Sequence, residues 1–224
     1  SKRKMKSKRN YETIILDEDS YEADHVKHSV GGMSGHLLRR ATHLSLAFIP
    51  WLYYWHGETI AGFISISPRD FVIIVVAILV VAELVRLKIG FTIIGQRAYE
   101  AHQLSALFWG AISVGSALII SPLAGVMGAA FGLPLILGLA FGDPVMGETR
   151  RADKEPKLVF IAGLLTVYVV WLCSWHFLGT PLLFALIMPP IQVASEWPRL
   201  RWIDDNGTMV LIPLLIVVML SYVV

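Results

Sequence analysis

Residues 142–151, with the sequence GDPVMGETRR, follow a long apolar run and hold side chains that could do chemistry. Asp143 and Glu148 offer the carboxylate oxygens that a hard divalent cation prefers. The Asp143-Pro144 pair predicts a helix start, because an aspartate can cap free backbone N–H groups and a proline suits the first helical position. A helix N-terminus beside basic residues attracts phosphate. This stretch is therefore our first candidate reaction centre, and the alternative is a loop whose charges only meet water and anionic lipid. The basic residues beside it are Arg150, Arg151, Lys154 and Lys157.

A second acidic group lies at residues 204–207, Asp-Asp-Asn-Gly, with Glu196 just upstream. Asp, Asn and Gly all favour tight reversals, so a simple turn is one interpretation. The other is a set of oxygen ligands for Mg²⁺, which together with Asp143 would put an anionic metal site beside the basic residues. Phosphoryl transfer needs this combination, because the metal and the Arg or Lys side chains neutralise phosphate oxygens while the attacking hydroxyl is positioned.

Further ionisable pairs stand near the ends of apolar runs. Arg39 and His43 are four residues apart, and Glu83 and Arg86 are three apart, so each pair shares one face of a helix. Charges at that depth are costly unless they are paired, so we expect Glu83 to meet Arg86 or a cation of the first apolar run. A structural ion pair with snorkelling arginines is the alternative to a site role. His43 could act as a base, because imidazole exchanges protons near neutrality, or could be a hydrogen-bonded residue of the membrane interface.

The composition is that of an integral membrane protein. Hydrophobic residues make up 55% of the 224-residue chain. The mean hydropathy of +0.63 is too high for a soluble domain whose charged side chains must cover its surface. The single cysteine, Cys173, excludes an intramolecular disulfide, and the formal charge of +2 gives no reason to expect a nucleic-acid partner. Residues 1–35 are polar and predict a flexible cytoplasmic tail, which leaves residues 36–224 as a membrane-embedded catalytic domain.

Seven apolar runs predict an all-α bundle of about seven transmembrane helices, because each run is near the ~20 residues that a helix needs to cross a bilayer. Ser67-Pro68 predicts the start of the second helix, and Pro189-Pro190 predicts a break or kink in the sixth. Small residues at every fourth position of the fourth run favour close helix packing, and access for a lipid tail is the alternative. A homo-oligomer is left open. The predicted spans are 36–55, 71–85, 104–120, 123–141, 158–177, 180–194 and 208–224.

The basic residues predict the orientation of this bundle. Of the 19 Lys and Arg residues, only Arg69 falls outside the N-terminal tail, the entry to the first span and the even-numbered loops. Lys and Arg gather in cytoplasmic loops, so the N-terminus is predicted in the cytoplasm and the C-terminus outside. All the polar groups described above then share the cytoplasmic rim.

The order and spacing of these residues resemble the polyprenol kinase family, the CTP-dependent dolichol, phytol and diacylglycerol kinases. The resemblance covers about residues 39–213, and its most specific part is the Asp-Asp-Asn-x-Thr element. Four features differ from the family pattern. Met146 stands where a small residue is usual, and Arg150 stands where a glycine is usual. The family's Lys-Ser/Thr-x-Glu-Gly element is replaced by Lys157-Leu158-Val159-Phe160, and the proline usual shortly after Thr208 is displaced if Pro213 is its counterpart. The matching elements are Arg39-Arg40-x-x-His43, Glu83-x-x-Arg86, Gly142-Asp143 with Arg151, Glu196, and Asp204-Asp205-Asn206-x-Thr208.

The resemblance implies a membrane enzyme that uses Mg²⁺ and a nucleoside triphosphate, commonly CTP, to phosphorylate a lipid alcohol. The acceptor would be a polyprenol, another isoprenoid alcohol or a diacylglycerol. Either Asp143 or His43 would take the hydroxyl proton, and Asp205 would serve catalysis through the metal. The expected metal residues are Asp143, Asp204 and Asp205, with Asn206 and Glu196 orienting them. The expected phosphate-binding residues are Arg150, Arg151 and Lys157, helped by Arg40 and Arg86.

Two other functions fit the same residues. A cytidylyltransferase that joins CTP to a phosphatidate-like lipid needs the same metal and arginines but releases pyrophosphate. A transporter or another non-enzymatic membrane protein would use Glu83 and Arg86 as a pathway. The short chain favours a prokaryotic cell membrane, with the site on the cytoplasmic face.

Overall fold

The computed structural model describes residues 30–94, 96, 98–121, 125–152, 154–198, 200 and 202–221. Across these residues there are eight α-helices and one short 3₁₀ turn at Ala98–Ala101, and no strand. Most of the predicted tail, residues 1–29, lies outside the described part, and its end already belongs to the first helix. The helices are α1 (Gly32–Ser45), α2 (Phe48–Gly62), α3 (Pro68–Ile89), α4 (Ala106–Ile120), α5 (Gly125–Arg151), α6 (Pro156–Leu178), α7 (Leu182–Ala194) and α8 (Asp205–Ser221).

The first predicted span consists of two helices rather than one. Helix α1 ends at Ser45 and α2 begins at Phe48. Pro50 explains the break, because it has no N–H for the carbonyl of Leu46 and its ring crowds that carbonyl. The carbonyl of Leu46 instead accepts from the N–H of Ile49 at 3.2 Å, and the Leu46 N–H donates to the carbonyls of Thr42 and His43, which closes the last turn of α1.

The predicted start of the second helix is confirmed. Ser67 is the N-cap of α3, where its hydroxyl accepts from the backbone N–H of Asp70 at 3.1 Å, and Pro68 occupies the first turn. This arrangement satisfies one of the donors that every helix start leaves free.

The predicted helix start at Asp143-Pro144 is wrong. Helix α5 runs without interruption from Gly125 through Pro134 and Pro144 to Arg151. The missing N–H of Pro144 costs one helical hydrogen bond, while packing favours the continued helix. Met146 is fully buried, and its sulfur lies so close to Gly163 of α6 that a Cβ there would come within 2.5 Å. Tertiary packing has overridden the local stop signal.

The two consecutive prolines of the sixth span do not break it. Helix α7 continues through Pro189 and Pro190 to Ala194. Pro190 leaves the carbonyl of Leu186 without its helical donor, and the Tyr168 hydroxyl of α6 donates to that carbonyl at 3.0 Å. A side chain of the neighbouring helix therefore compensates for the lost bond.

Helix α5 lies at the centre of the bundle and packs against α1, α2, α4, α6, α7 and α8. Its inward side is apolar, with Leu135, Ile136, Leu139 and Ala140 fully buried. Two described helices are long and apolar enough to cross a membrane. They are α5, over Gly128–Arg151, and α6, over Pro156–Leu178. Helix α3 is of similar length but carries charged residues near both ends.

Candidate functional site

Three carboxylates from separate segments meet at one end of the bundle. Asp143 lies in the last third of α5, Glu196 just follows α7, and Asp205 is the first residue of α8. One oxygen from each lies within 4.8 Å of one from each of the others. Asp143 and Glu196 are only 9% and 8% exposed. Such close, buried carboxylates repel one another unless a cation lies between them, and oxygen ligands at this spacing suit a hard divalent cation.

Helix α8 begins at the acidic element, which is therefore a capped helix start and not an isolated turn. The Asp204 carboxylate accepts from the backbone N–H of Asn206 at 3.1 Å, and its carbonyl accepts from Gly207 and Thr208. The cap directs Asp205 toward Asp143 and Glu196. Asp204, expected as a metal residue, caps α8 and is not a member of the three-carboxylate cluster.

Arg40 of α1 joins the cluster across a glycine of α5. Its guanidinium donates to Asp143 at 3.4 Å and to Glu148 at 3.1 Å. It lies so close to Gly147 that a Cβ there would overlap it. The absence of a side chain at residue 147 therefore lets Arg40 reach both carboxylates of α5.

Arg150 holds the opposite side of the cluster. Its guanidinium donates to Glu196 at 2.6 Å and lies 5.8 Å from the centre of the Trp197 ring. Arg150, which stands where the family that this sequence resembles usually has a glycine, therefore has an ion-pair partner in this chain. Two of the four arginines expected to bind phosphate, Arg40 and Arg150, already pair with carboxylates of the cluster.

Glu196 is the carboxylate with the most perturbed environment. Burial raises the pKa of Glu196 to about 7, and the negative charges of Asp205 and Asp143 act in the same direction, while Arg150 opposes them. One of its oxygens, Oε2, is buried without a hydrogen-bond partner. A bound cation would satisfy that oxygen and favour the ionised form. The donor set therefore fits Mg²⁺.

His43 and Asn206 carry the two other unpaired buried polar atoms near the cluster. Nδ1 of His43 lies 3.3 Å from the Asp143 carboxylate but forms no hydrogen bond, and neither does Oδ1 of Asn206. The Asn206 amide donates to the carbonyl of Ala106 at 3.2 Å, which fixes its orientation. A hydroxyl group beside these atoms would find both an acceptor and a route for its proton.

Arg86 has a structural position instead of the expected phosphate-binding one. The predicted pair with Glu83 is confirmed, at two distances of 2.8 Å. The remaining three N–H groups of Arg86 donate to the carbonyls of Phe91, Glu100 and Gln103. All five guanidinium donors are therefore used to hold the segment between α3 and α4.

Glu100 belongs to this network and was not singled out from the sequence. It is 2% exposed, accepts from Arg39 at 3.1 Å and accepts from the N–H of Ala106. The carbonyl of Ala106 in turn receives the Asn206 amide. The only sequence signal was an acid within a polar link, which is also typical of an exposed loop.

The remaining predicted cations are on the surface at the same end of the bundle. Arg151 is exposed and lies 3.4 Å from Glu148, which also meets His36 of α1 at 3.1 Å. Lys157 is exposed in the first turn of α6. These two residues are the predicted cations whose position leaves them open to an incoming ligand.

Comparison with known proteins gives no relative from which a function could be transferred. The chain matches no protein-family model, no curated protein and no solved structure.

Proposed function

We propose that this chain is an integral membrane kinase that transfers the terminal phosphate of a nucleoside triphosphate, CTP in the first instance, to a lipid alcohol. In this proposal α1 and α2 together make one crossing, and each of α3 to α8 makes another. The bundle then has seven crossings, with the N-terminus and the carboxylate cluster on the cytoplasmic side of a cell membrane. A polyprenol, another isoprenoid alcohol or a diacylglycerol is the acceptor.

The observation that carries the proposal is the meeting of Asp143, Glu196 and Asp205 within 4.8 Å at the end of an otherwise apolar bundle. Each carboxylate is close to the end of a different apolar helix. Three carboxylates held this close repel one another, and a hard cation between them offsets this cost. Arg40 and Arg150 fix the orientation of two of the acids.

The large apolar surface of the bundle supports the membrane assignment. Side chains on the outer faces of α3 and α6 are more than half exposed, among them Ile78, Val81, Leu165 and Val169. Soluble monomers rarely expose continuous apolar surface on this scale, whereas hydrocarbon would cover it at no cost. The same surface puts the acceptor lipid within reach of the cluster by diffusion in the membrane.

The residues suggest how the transfer would proceed. Mg²⁺ bound by the three carboxylates would neutralise oxygens of the triphosphate, while the exposed Arg151 and Lys157 would contact the same group from the surface. The acceptor oxygen bonds to the terminal phosphorus, and the bond from that phosphorus to the bridging oxygen breaks. The nucleoside diphosphate leaves, and the hydroxyl proton passes to Asp143, with His43 beside it.

The test is a transfer assay with purified protein in lipid nanodiscs, Mg²⁺, either a polyprenol or a phosphatidate as acceptor, and CTP labelled at either the γ or the α phosphorus. A kinase moves only the γ label to lipid. Appearance of the α label in lipid would instead identify a cytidylyltransferase, and no label in lipid with any acceptor or nucleotide would contradict the proposal.

Matched variants connect this activity to the cluster. Asp143→Asn and Asp205→Asn are expected to lower the rate by on the order of 100-fold, because each removes a charge that acts on the transferring group. Asp70→Asn is the control, since Asp70 is an exposed acid in the first turn of α3. Equal rates for the three variants would separate the activity from the cluster.

A further inference from the structure

An apolar groove of about 500 Å³ has His43 and Asn206 in its lining, and His43 lies 3.3 Å from Asp143 of the carboxylate cluster. Its walls come from α1, the start of α2, α3 and α4, and along α4 it extends from Ala106 to Leu118, which is about 18 Å at the rise of an α-helix. Several lining residues are open to the surroundings, including Leu38, Ile49 and Leu107 at 49%, 37% and 48% exposed. The groove is therefore accessible from the side of the bundle.

The inner end of the groove is polar. His43 and Asn206 both line it, although they are only 6% and 3% exposed. Each contributes the buried atom described above that has no hydrogen-bond partner, His43 Nδ1 and Asn206 Oδ1. Native structures rarely leave a buried amide oxygen without a partner, so Asn206 Oδ1 indicates a ligand with a polar head. Asp143, 3.3 Å from His43, connects this end to the cluster.

A second cavity, of about 700 Å³, is not connected to the cluster through His43 or Asn206. It lies mainly between α5 and α6, and its lining includes none of the carboxylates, His43 or Asn206. Of these two cavities, the groove is the one whose lining includes both His43 and Asn206. A single groove accommodates one hydrocarbon chain beside the reacting hydroxyl.

We propose that this groove binds a single-chain lipid alcohol, with its hydrocarbon along α3 and α4 and its hydroxyl between His43 and Asn206. This inference rests on the proposed function. The hydroxyl lies beside Oδ1 of Asn206, and its oxygen lies beside the cluster. A lipid tail that moves from the membrane into the groove does not leave water, because both surroundings are apolar. The groove therefore selects its lipid by the shape of the tail. A lipid with two chains, such as a diacylglycerol, is a poorer acceptor.

Gly110 is a position from which a larger side chain could extend into the groove. It lines the groove in α4, and a Cβ added there would meet no atom within 4 Å. Gly62, at the end of α2, has equally open space around its Cβ and lies outside the groove. The two glycines therefore form a matched pair for Gly→Phe substitution.

The kinetic test compares geranylgeraniol with the short dimethylallyl alcohol, which does not extend along the groove. Gly110→Phe is expected to raise KM for geranylgeraniol at least about tenfold and to leave the rate with the short alcohol within about twofold. Gly62→Phe should change neither, and the unmodified protein should prefer geranylgeraniol to dioctanoylglycerol. Unchanged KM for geranylgeraniol in Gly110→Phe, or equal loss with both alcohols while the smaller Gly110→Leu behaves as the unmodified protein, would overturn the proposal.

A binding experiment tests the groove independently of catalysis. A geranylgeraniol analogue with a photoreactive diazirine in its tail is expected to label peptides of α3 and α4, and Gly110→Phe should abolish this labelling. Labelling without phosphate transfer would contradict the kinase proposal but support the groove. Transfer with labelling confined to α5 and α6 would support the kinase and overturn the groove.

Discussion

At the scale of residues, the ion pairs of the cluster differ in their surroundings and hence in their energetic weight. Arg150 and Glu196 form a pair in which the carboxylate side chain is 3% exposed, whereas Arg151 and Glu148 are each more than 40% exposed. Removing one partner from a buried pair leaves an uncompensated charge, whereas an exposed pair contributes little. The two neighbouring arginines should therefore respond differently to the same substitution.

We expect Arg150→Met to lower the free energy of unfolding by about 3 kcal/mol, and Arg151→Met to lower it by less than about 1 kcal/mol. Thermal unfolding in one detergent compares the two. Adding Glu196→Gln to Arg150→Met should recover most of the loss, because no buried charge is then left unpaired. Equal losses for both arginine variants would show that burial does not distinguish these pairs.

The raised pKa of Glu196 predicts how stability depends on pH. With its pKa at about 7 in the folded protein, Glu196 binds a proton more tightly in the folded than in the unfolded chain. Its contribution is therefore complete below its ordinary pKa and is lost as the pH rises through 7. In chelator-treated protein we expect about 2 kcal/mol less stability at pH 7.5 than at pH 5.5.

Two measurements check this dependence. Glu196→Gln should flatten the difference between the two pH values, since an amide does not titrate. Mg²⁺ at pH 7.5 should restore stability to the unmodified protein, because a cation favours the ionised carboxylate. A pH dependence that persists in Glu196→Gln would assign it to another group.

The sequence predicted more reliably which carboxylates come together in the cluster than which partner each charged side chain binds. Asp143, Glu196 and Asp205 follow or precede long apolar runs at the same predicted side, so their convergence could be inferred from topology. Whether Arg86 faces a phosphate or three carbonyls depends on the path of the segment between α3 and α4. No local pattern encodes that path, and the buried role of Glu100 was missed for the same reason.

At the scale of elements, the close crossing of α1 over α5 depends on a single glycine. Gly147 has no side chain, and the Arg40 guanidinium occupies the space that one would fill. Gly→Ala within a helix normally stabilises it by up to about 1 kcal/mol. Here that gain competes with the displacement of Arg40 from Asp143 and Glu148.

We expect Gly147→Ala to lower phosphate transfer by on the order of tenfold while the protein still folds. The kinetic assay and thermal unfolding together separate the two effects. Gly62→Ala, in open space at the end of α2, should leave the rate unchanged. Combining Gly147→Ala with Arg40→Ala should cost no more than Arg40→Ala alone, because both changes act on one contact. Fully additive losses would contradict this account.

Two Xaa-Pro pairs show how far a short sequence pattern determines where a helix begins. Ser67-Pro68 and Asp143-Pro144 look alike, yet the first begins a helix and the second lies inside one. The difference arises from Met146, Gly147 and Gly163, which pack the continued helix against its neighbours. A cap motif indicates a favourable start, but packing elsewhere in the chain determines whether the start is used.

At the scale of the whole molecule, the proposed seven crossings make a specific prediction about sidedness. The loop between α2 and α3 and the loop between α5 and α6 would face opposite compartments. Arg69 and Lys154 are exposed positions in or next to these loops. In a Cys173→Ser background, a membrane-impermeant maleimide should label Arg69→Cys in intact cells and Lys154→Cys only after lysis. Labelling of both variants from the same side would contradict the seven-crossing bundle.

The pairing of Arg40 and Arg150 with carboxylates also bears on how a catalytic cycle would end. Phosphorylation turns an uncharged lipid into an anion, and the nearest guanidinium groups are already neutralised by Asp143, Glu148 and Glu196. In the proposed kinase, little positive charge beside the cluster would then remain to retain the newly charged headgroup, and the surrounding carboxylates would repel it. Product release would thereby be favoured, and a tightly held product would not limit turnover.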